Sequence, residues 1–211
     1  MNRRRRITML LLVLLMPLLG MGQSREAYDR YSAAAGDRSM LYRGRQATSY
    51  EGIAYNGTYF WDSPEFRSGT VCYNGRVYYD VSLNIDSCEQ QLLVRYRPET
   101  PAVVVSRDHV CWFTIGPDTY VNLLSEGQSG ASEGFYKLLS DSGEKVFLTV
   151  RKPLTRKAVN ANGALIGYED PMYDSSRTAF FRRDELYYCI HDGVLKRISR
   201  HSALKRIQHG Q

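Results

Sequence analysis

The pair Asn74-Gly75 constrains this chain more than any other two residues. It separates two β-rich runs, Thr70-Val71-Cys72-Tyr73 and Arg76-Val77-Tyr78-Tyr79. Both residues of a two-residue hairpin turn must accept positive φ, which Asn and Gly do at little cost. Such a turn sets Cys72 opposite Val77 and starts an alternation along the outgoing strand. Val77, Tyr79, Val81, Leu83 and Ile85 fall on one face, and Tyr78, Asp80, Ser82, Asn84 and Asp86 on the other. Period two is the pattern of a strand with one face to bury. The same four oxygen-bearing side chains, Asp80, Ser82, Asn84 and Asp86, also resemble the first half of a calcium loop. That loop needs Gly at its sixth position and a bidentate Glu at its twelfth, where this chain has Ile85 and Gln91. The strand reading is therefore preferred, with the oxygens facing solvent. On that reading Asp80→Ala and Asp86→Ala each change stability only slightly.

Similar punctuation recurs downstream. Runs rich in Val, Leu, Tyr and Phe cover Gln91–Tyr96, Ala102–Ser106, Val110–Ile115, Tyr120–Leu123, Phe135–Leu139, Lys145–Arg151, Leu186–His191 and Val194–Ile198. Between them lie turn formers: Pro98 and Pro101, Gly116-Pro117-Asp118, Asp141-Ser142-Gly143 and Asp192-Gly193. Short strands joined locally predict a mainly β fold, a single antiparallel meander domain forming a curled or barrel-like sheet over residues 41–211. A short helix is expected at each end. Ser24–Ala35, stopped by Gly36, lies in a leader of residues 23–40, and a second helix covers about 200–208 with Ser199 or Ser202 as cap. Pro153–Thr178 breaks the rhythm. A connection of that length is a mobile loop, a flap over a site, or a strand concealed in polar sequence.

The N-terminus argues for export. Arg3 to Arg6 precede an apolar run from Ile7 to Leu19, and Gly20-Met21-Gly22 supplies small residues before Gln23. This order is that of a signal peptide over residues 1–22, and no integral membrane span is expected after cleavage. The destination is the periplasm, the outer-membrane surface or the medium. Four of the 28 Lys and Arg leave with that segment, so 24 face 22 Asp and Glu, a formal charge near +2. The mature chain thus lacks the excess of positive charge that a nucleic-acid partner calls for. Four cysteines, Cys72, Cys88, Cys111 and Cys189, are disulfide candidates in an oxidising compartment. The preferred arrangement is Cys111–Cys189 with Cys72–Cys88.

Several short motifs carry a resemblance. They are Leu41-Tyr42-Arg43-Gly44, Gly57-Thr58-Tyr59-Phe60, Gly69-Thr70-Val71, Tyr73-Asn74-Gly75 with Tyr78, Val81-Ser82-Leu83 through Asp86, Gly134-Phe135-Tyr136 and Tyr187-Tyr188. Together they are similar to a pattern in uncharacterised exported β-rich proteins of Gram-negative bacterial envelopes. The resemblance implies an envelope location and a β meander, and it brings no catalytic motif. The four cysteines depart from it.

Candidate chemistry is sparse. His109-Val110-Cys111 and Cys189-Ile190-His191 each offer two ligands on one strand face, so His109, Cys111, Cys189 and His191 would suit tetrahedral zinc if the strands were neighbours. A disulfide is the simpler use of those cysteines. Gly127-Gln128-Ser129-Gly130-Ala131 only approaches a nucleophile elbow, because Ala131 replaces the last Gly and no helix is signalled after it. There is no phosphate-binding Gly loop, and no cofactor is expected. Tyr59, Trp61, Tyr78, Trp112, Tyr187 and Tyr188 are candidates for a ligand surface, with Phe60 beside them, although tyrosine is also a favoured strand residue. Arg182-Arg183, Lys196-Arg197, Arg200 and Lys205-Arg206 form a basic tail that suits anionic lipid or glycan or is simply solvated. Asn56-Gly57-Thr58 is a glycosylation acceptor only in a eukaryotic setting. The expected function is a non-enzymatic envelope protein that binds or assembles with other envelope proteins or surface glycans. The alternatives are a carrier of an apolar small molecule and a hydrolase of unrecognised type.

Overall fold

The computed structural model describes residues 25–50, 55–142, 144–156 and 179–209. The proposed signal peptide and most of Pro153–Thr178 lie outside the described residues. The chain divides into two compact units, residues 1–36 and 37–211. In the first, helix α1 (Arg25–Ala35) carries an Arg25–Asp29 pair at 3.1 Å, one turn apart, and Gly36 follows at positive φ. Gly is the usual stop at this position because it alone enters the left-handed region freely.

The second unit is mainly β, as the alternation predicts. Its strands are β1 (Tyr55–Asn56), β2 (Arg67–Tyr73), β3 (Arg76–Asp86), β4 (Gln91–Arg95), β5 (Val103–Val105), β6 (Val110–Ile115), β7 (Asp118–Val121), β8 (Tyr136–Ser140), β9 (Val146–Arg151), β10 (Leu154–Arg156), β11 (Ala179–Phe181), β12 (Asp184–His191) and β13 (Val194–Ile198). Ten of them form one antiparallel sheet in the order β13-β12-β9-β8-β7-β6-β2-β3-β4-β5. Two halves, β2 to β5 and β6 to β9 continued by β12 and β13, thus meet along the β2–β6 pair. β10, β11 and β1 form a small separate sheet in which β1 and β11 run parallel. Helix α2 (Arg200–His209) closes the chain, with the Ser202 N–H donating to Ser199 Oγ at 3.1 Å as an N-cap should. No helix among the described residues is long and apolar enough to cross a membrane.

Asn74 and Gly75 form the expected turn, with φ of 51° and 71°, and Cys72 pairs with Val77. Asp192-Gly193 repeats it at 52° and 73°. The alternation of β3 is not continuous, however. Val71 pairs with Tyr78 but Gly69 with Val81, so one residue of β2 faces two of β3. Asp80 absorbs the extra residue at φ 53°. This bulge reverses the facing of the strand. Tyr78, predicted to face solvent, is buried together with Val81, Leu83 and Ile85, whereas Val77 and Tyr79 are half-buried.

The sheet is curled but not closed. The turn after β3 reaches the end of β9, five strands away in the sheet order. The Lys152 N–H donates to the Ser87 carbonyl at 2.9 Å, and Gln90 Nε2 donates to the Val150 carbonyl at 2.9 Å. Inside the curl Phe113 stacks on Tyr120 at 4.9 Å, and Phe135 and Trp61 meet these rings edge-on at 5.0 and 5.3 Å. A second core forms under the 122–135 connection, where Leu123, Tyr136, Phe147 and Leu195 pack with Leu138 and Tyr188.

Candidate functional site

The outer edge of β5 would expose unpaired backbone groups, which invite aberrant strand pairing. Residues 44–47 cover it. The Val104 N–H donates to the Arg45 carbonyl at 2.8 Å, and the Ala47 N–H to the Ala102 carbonyl at 2.9 Å. Gly44 is required for this approach, because a Cβ there would lie 1.8 Å from the Val104 carbonyl oxygen. Just before it, the 3-10 turn Met40–Tyr42 buries Leu41 completely and leaves Met40 exposed. Arg43 Nε ties the turn down by donating to the Arg38 carbonyl at 3.0 Å.

An open groove lies on each side of this turn. One, of about 490 Å³, runs between Met40, Arg43, Arg45, Tyr73 and Ser106. The other, of about 570 Å³, is lined by Asp37, Tyr42, Tyr96, Arg97, Glu99 and Thr100. In the second groove Tyr42 and Tyr96 meet edge-on at 5.2 Å, and the Arg97 guanidinium sits 5.3 Å from the Tyr96 ring. The Thr100 hydroxyl donates to the Arg97 carbonyl at 2.9 Å, and the Thr100 N–H donates to the same oxygen at 3.1 Å, which holds the rim in shape. Two aromatic rings, two carboxylates and a guanidinium around an open groove suit a polyhydroxylated ligand.

Neither Tyr42 nor Tyr96 was among the site residues expected from sequence. The available signal was Tyr96 at the exit of a predicted strand, next to Pro98, where a large ring stays at the rim. The expected residues are instead dispersed through the packing. Trp61 and Tyr78 are buried, and the Tyr59 ring lies tilted 4.6 Å from that of Tyr50 and 4.1 Å from that of Phe60. Tyr188 meets Tyr136 edge-on at 5.6 Å, the Tyr187 hydroxyl donates to Glu185 at 2.9 Å, and Trp112 is half-buried on β6. They do not form one surface.

The polar face proposed for β3 is also corrected. Asn84 and Asp86 are buried, not solvated. Asn84 Nδ2 donates to the Ser63 and Glu65 carbonyls, and Asp86 Oδ1 accepts the Cys88 and Glu89 N–H groups at 2.8 and 2.9 Å. Burial pushes the Asp86 carboxyl above its ordinary range, against the pull of those two N–H groups and of Arg45. Across the same seam Lys152 is only 4% exposed and its ammonium donates to the Phe60 carbonyl. Burial, reinforced by Arg183, lowers its pKa to about 8. Arg183 itself donates to the Trp61 carbonyl at 2.6 Å and pairs with Glu185 at 3.0 Å. The Tyr50 hydroxyl is buried near the Cys88 thiol, and burial raises its pKa. Asp86 is 1% exposed, and the hydrogen bonds of this group tie the turn after β3 to the end of β9 and so hold the curl.

The four cysteines are not bonded to one another. Cys111 on β6 and Cys189 on β12 are separated by β7, β8 and β9, and Cys88 lies at the far end of β3 from Cys72. The two expected pairings are therefore not formed. The same strand separation keeps His109 and Cys111 apart from Cys189 and His191, and no metal-holding group of His, Cys, Asp or Glu occurs among the described residues. His109 meets the Tyr73 ring at 6.1 Å, and His191 lies between Glu144 and Asp192, each at 3.3 Å. Ser129 pairs through its backbone, its carbonyl accepting the Leu195 N–H at 2.8 Å, and no helix follows it. Part of the basic tail is engaged in ion pairs: Arg182 with Asp184 at 2.7 Å, Arg183 with Glu185, and Arg206 with Glu144 at 2.6 Å. Comparison with protein-family models, with curated proteins and with solved structures found no match to this chain.

Proposed function

We propose that this protein is an exported, non-enzymatic component of a bacterial cell envelope that acts by binding, and that its ligand is a surface glycan taken by the Tyr42–Tyr96 groove. One observation carries this reading. Two tyrosine rings share an open groove with Arg97, Asp37 and Glu99 on an edge the chain has taken trouble to cover. Sugar rings offer C–H faces to aromatic rings and hydroxyls to charged groups, and this groove supplies both. The basic n-region and apolar run before Gln23 support export. A carrier role is less well supported, since Phe113, Tyr120, Phe135 and Trp61 occupy the interior of the curl that a carried molecule would need.

The test is calorimetric titration of the mature protein with oligosaccharides released from Gram-negative peptidoglycan and outer-membrane polysaccharide. At least one fragment binds, and Tyr96→Ala weakens it about tenfold, the loss of one aromatic contact of about 1.4 kcal/mol, with Tm unchanged. Absence of binding by the unaltered protein, or equal affinity in Tyr96→Ala, overturns the glycan reading. N-terminal sequencing of material recovered from the envelope should begin near Gln23, and retention of the first 22 residues in the cytoplasm overturns export.

A further inference from the structure

The two halves of the large sheet join along one strand pair, β2 against β6. In that pair Cys72 lies opposite Trp112, but the next residue, Tyr73, lies opposite Val110. The register shift leaves Cys111 as the extra residue of a bulge, without a register partner on β2 and beside the residue that faces Cys72. In a bulge two residues of one strand face one of the other, so Cys111 shares with Trp112 the place opposite Cys72, and neighbouring strands bring Cα atoms into the range of about 4.4–6.8 Å that a disulfide spans. The side chains agree with the backbone, because Cys111 is among the near neighbours that act on the Cys72 thiol. Both are half-buried and within reach of small thiol reagents, whereas Cys189 is buried. Cys88 lies at the opposite end of β3, next to Tyr50.

We propose that Cys72 and Cys111 are the oxidation site of this protein, joined as a cross-strand disulfide by exchange with a disulfide oxidant, while Cys88 and Cys189 remain thiols. One thiolate attacks a sulfur of the oxidant, forming a mixed disulfide and releasing one oxidant thiol. The second thiolate displaces the other oxidant thiol and completes the Cys72–Cys111 bond. Two protein thiols are oxidised, one disulfide is reduced to two thiols, and the two protons end on those thiols. Burial and the neighbouring Cys111 push the Cys72 thiol up to about 11, which disfavours a freely reactive thiolate and suits a structural bond more than a catalytic one. The bond would staple the two halves of the sheet along the β2–β6 pair, closing a loop of about 40 residues. Neither export nor the glycan reading is needed for this site.

The four cysteines fall in four different tryptic peptides, 68–76, 77–95, 108–137 and 184–196, so the test is direct. Purified protein is incubated with oxidised glutathione, alkylated with iodoacetamide and digested without reductant. A linked 68–76/108–137 peptide is expected, with Cys88 and Cys189 alkylated. Oxidation raises Tm by about 10 °C, as expected for a loop of this length, and dithiothreitol reverses the rise. The Cys88→Ala/Cys189→Ala variant keeps both the link and the reversible shift, and Cys72→Ala/Cys111→Ala loses both. If the latter fails to fold, the former still decides, because its only thiols are the proposed pair. A Cys111–Cys189 or Cys72–Cys88 link, or four alkylated cysteines after oxidation, overturns the proposal.

Discussion

Two groups of charged residues in this protein use the same chemistry to opposite effect. At the seam of the curl, Asp86 and Lys152 are buried, and burial drives each toward its neutral form: the carboxyl up, the ammonium down to about 8. On the outside, Glu144 is exposed and its hydrogen bonds from Arg206 and His191 drive it toward its charged form, with its carboxyl held below the ordinary range. The seam residues are fixed by backbone groups: Asp86 caps the β3–β4 turn and Lys152 reaches the Phe60 carbonyl. The surface residues are fixed by one another. Desolvation cost dominates in the first place and partner geometry in the second, so position decides what a charge does.

The sharpest way to break this contrast is Asp86→Ala. It leaves the Cys88 and Glu89 N–H groups without their acceptor, and a loss of about 3 kcal/mol in urea unfolding is expected. Asp86→Asn keeps Oδ1 and should recover most of it. A change under about 0.5 kcal/mol for Asp86→Ala would restore the solvated-strand picture. Next in size is Lys152→Met. With its folded pKa near 8 and its free value 10.5, the buried ammonium opposes folding below pH 8. That penalty is relieved as pH rises from about 8 toward 10.5. The unaltered protein should therefore gain about 2 kcal/mol over that window relative to Lys152→Met, measured by unfolding at pH 7 and pH 10. Parallel pH profiles for the two proteins would mean that Lys152 titrates as if solvated. The smallest effect belongs to Glu144→Gln. It should shift Tm by no more than the removal of an exposed ion pair does, and the shift should vanish in 1 M salt. A salt-independent drop as large as that of Asp86→Ala would abolish the distinction between the two groups.

Much of the framework was legible because it is written in local chemistry. Asn74-Gly75 and Asp192-Gly193 announce their hairpins through residues that tolerate positive φ, and the observed turns have that φ. Val110–Ile115 and Val194–Ile198 match their predicted bounds. The Asp80 bulge was not legible, since an aspartate at φ 53° in mid-strand looks the same in sequence as one in regular extension. That one residue exchanged the expected positions of Tyr78 and Tyr79. Asn84 and Asp86 were misassigned for another reason. Polar residues at alternate positions imply water only if nothing else covers them, and here the Ser63–Glu65 backbone and the turn of residues 87–90 do. The Tyr42–Tyr96 groove joins residues more than fifty positions apart, so no window of sequence contains it.

By itself, the sequence determined that the chain is β-rich, where its sharp turns fall, that a helix stands near each end, and which apolar residues must find a core. These follow from backbone preference and side-chain periodicity, which act over a few residues. Tertiary structure alone decided that β2 pairs with β6, that Cys72 lies beside Cys111 and not Cys88, and that the sheet curls until Ser87 meets Lys152. Those outcomes depend on which distant surfaces exclude water together and on which buried polar groups find partners, and neither is a property of any short stretch of chain.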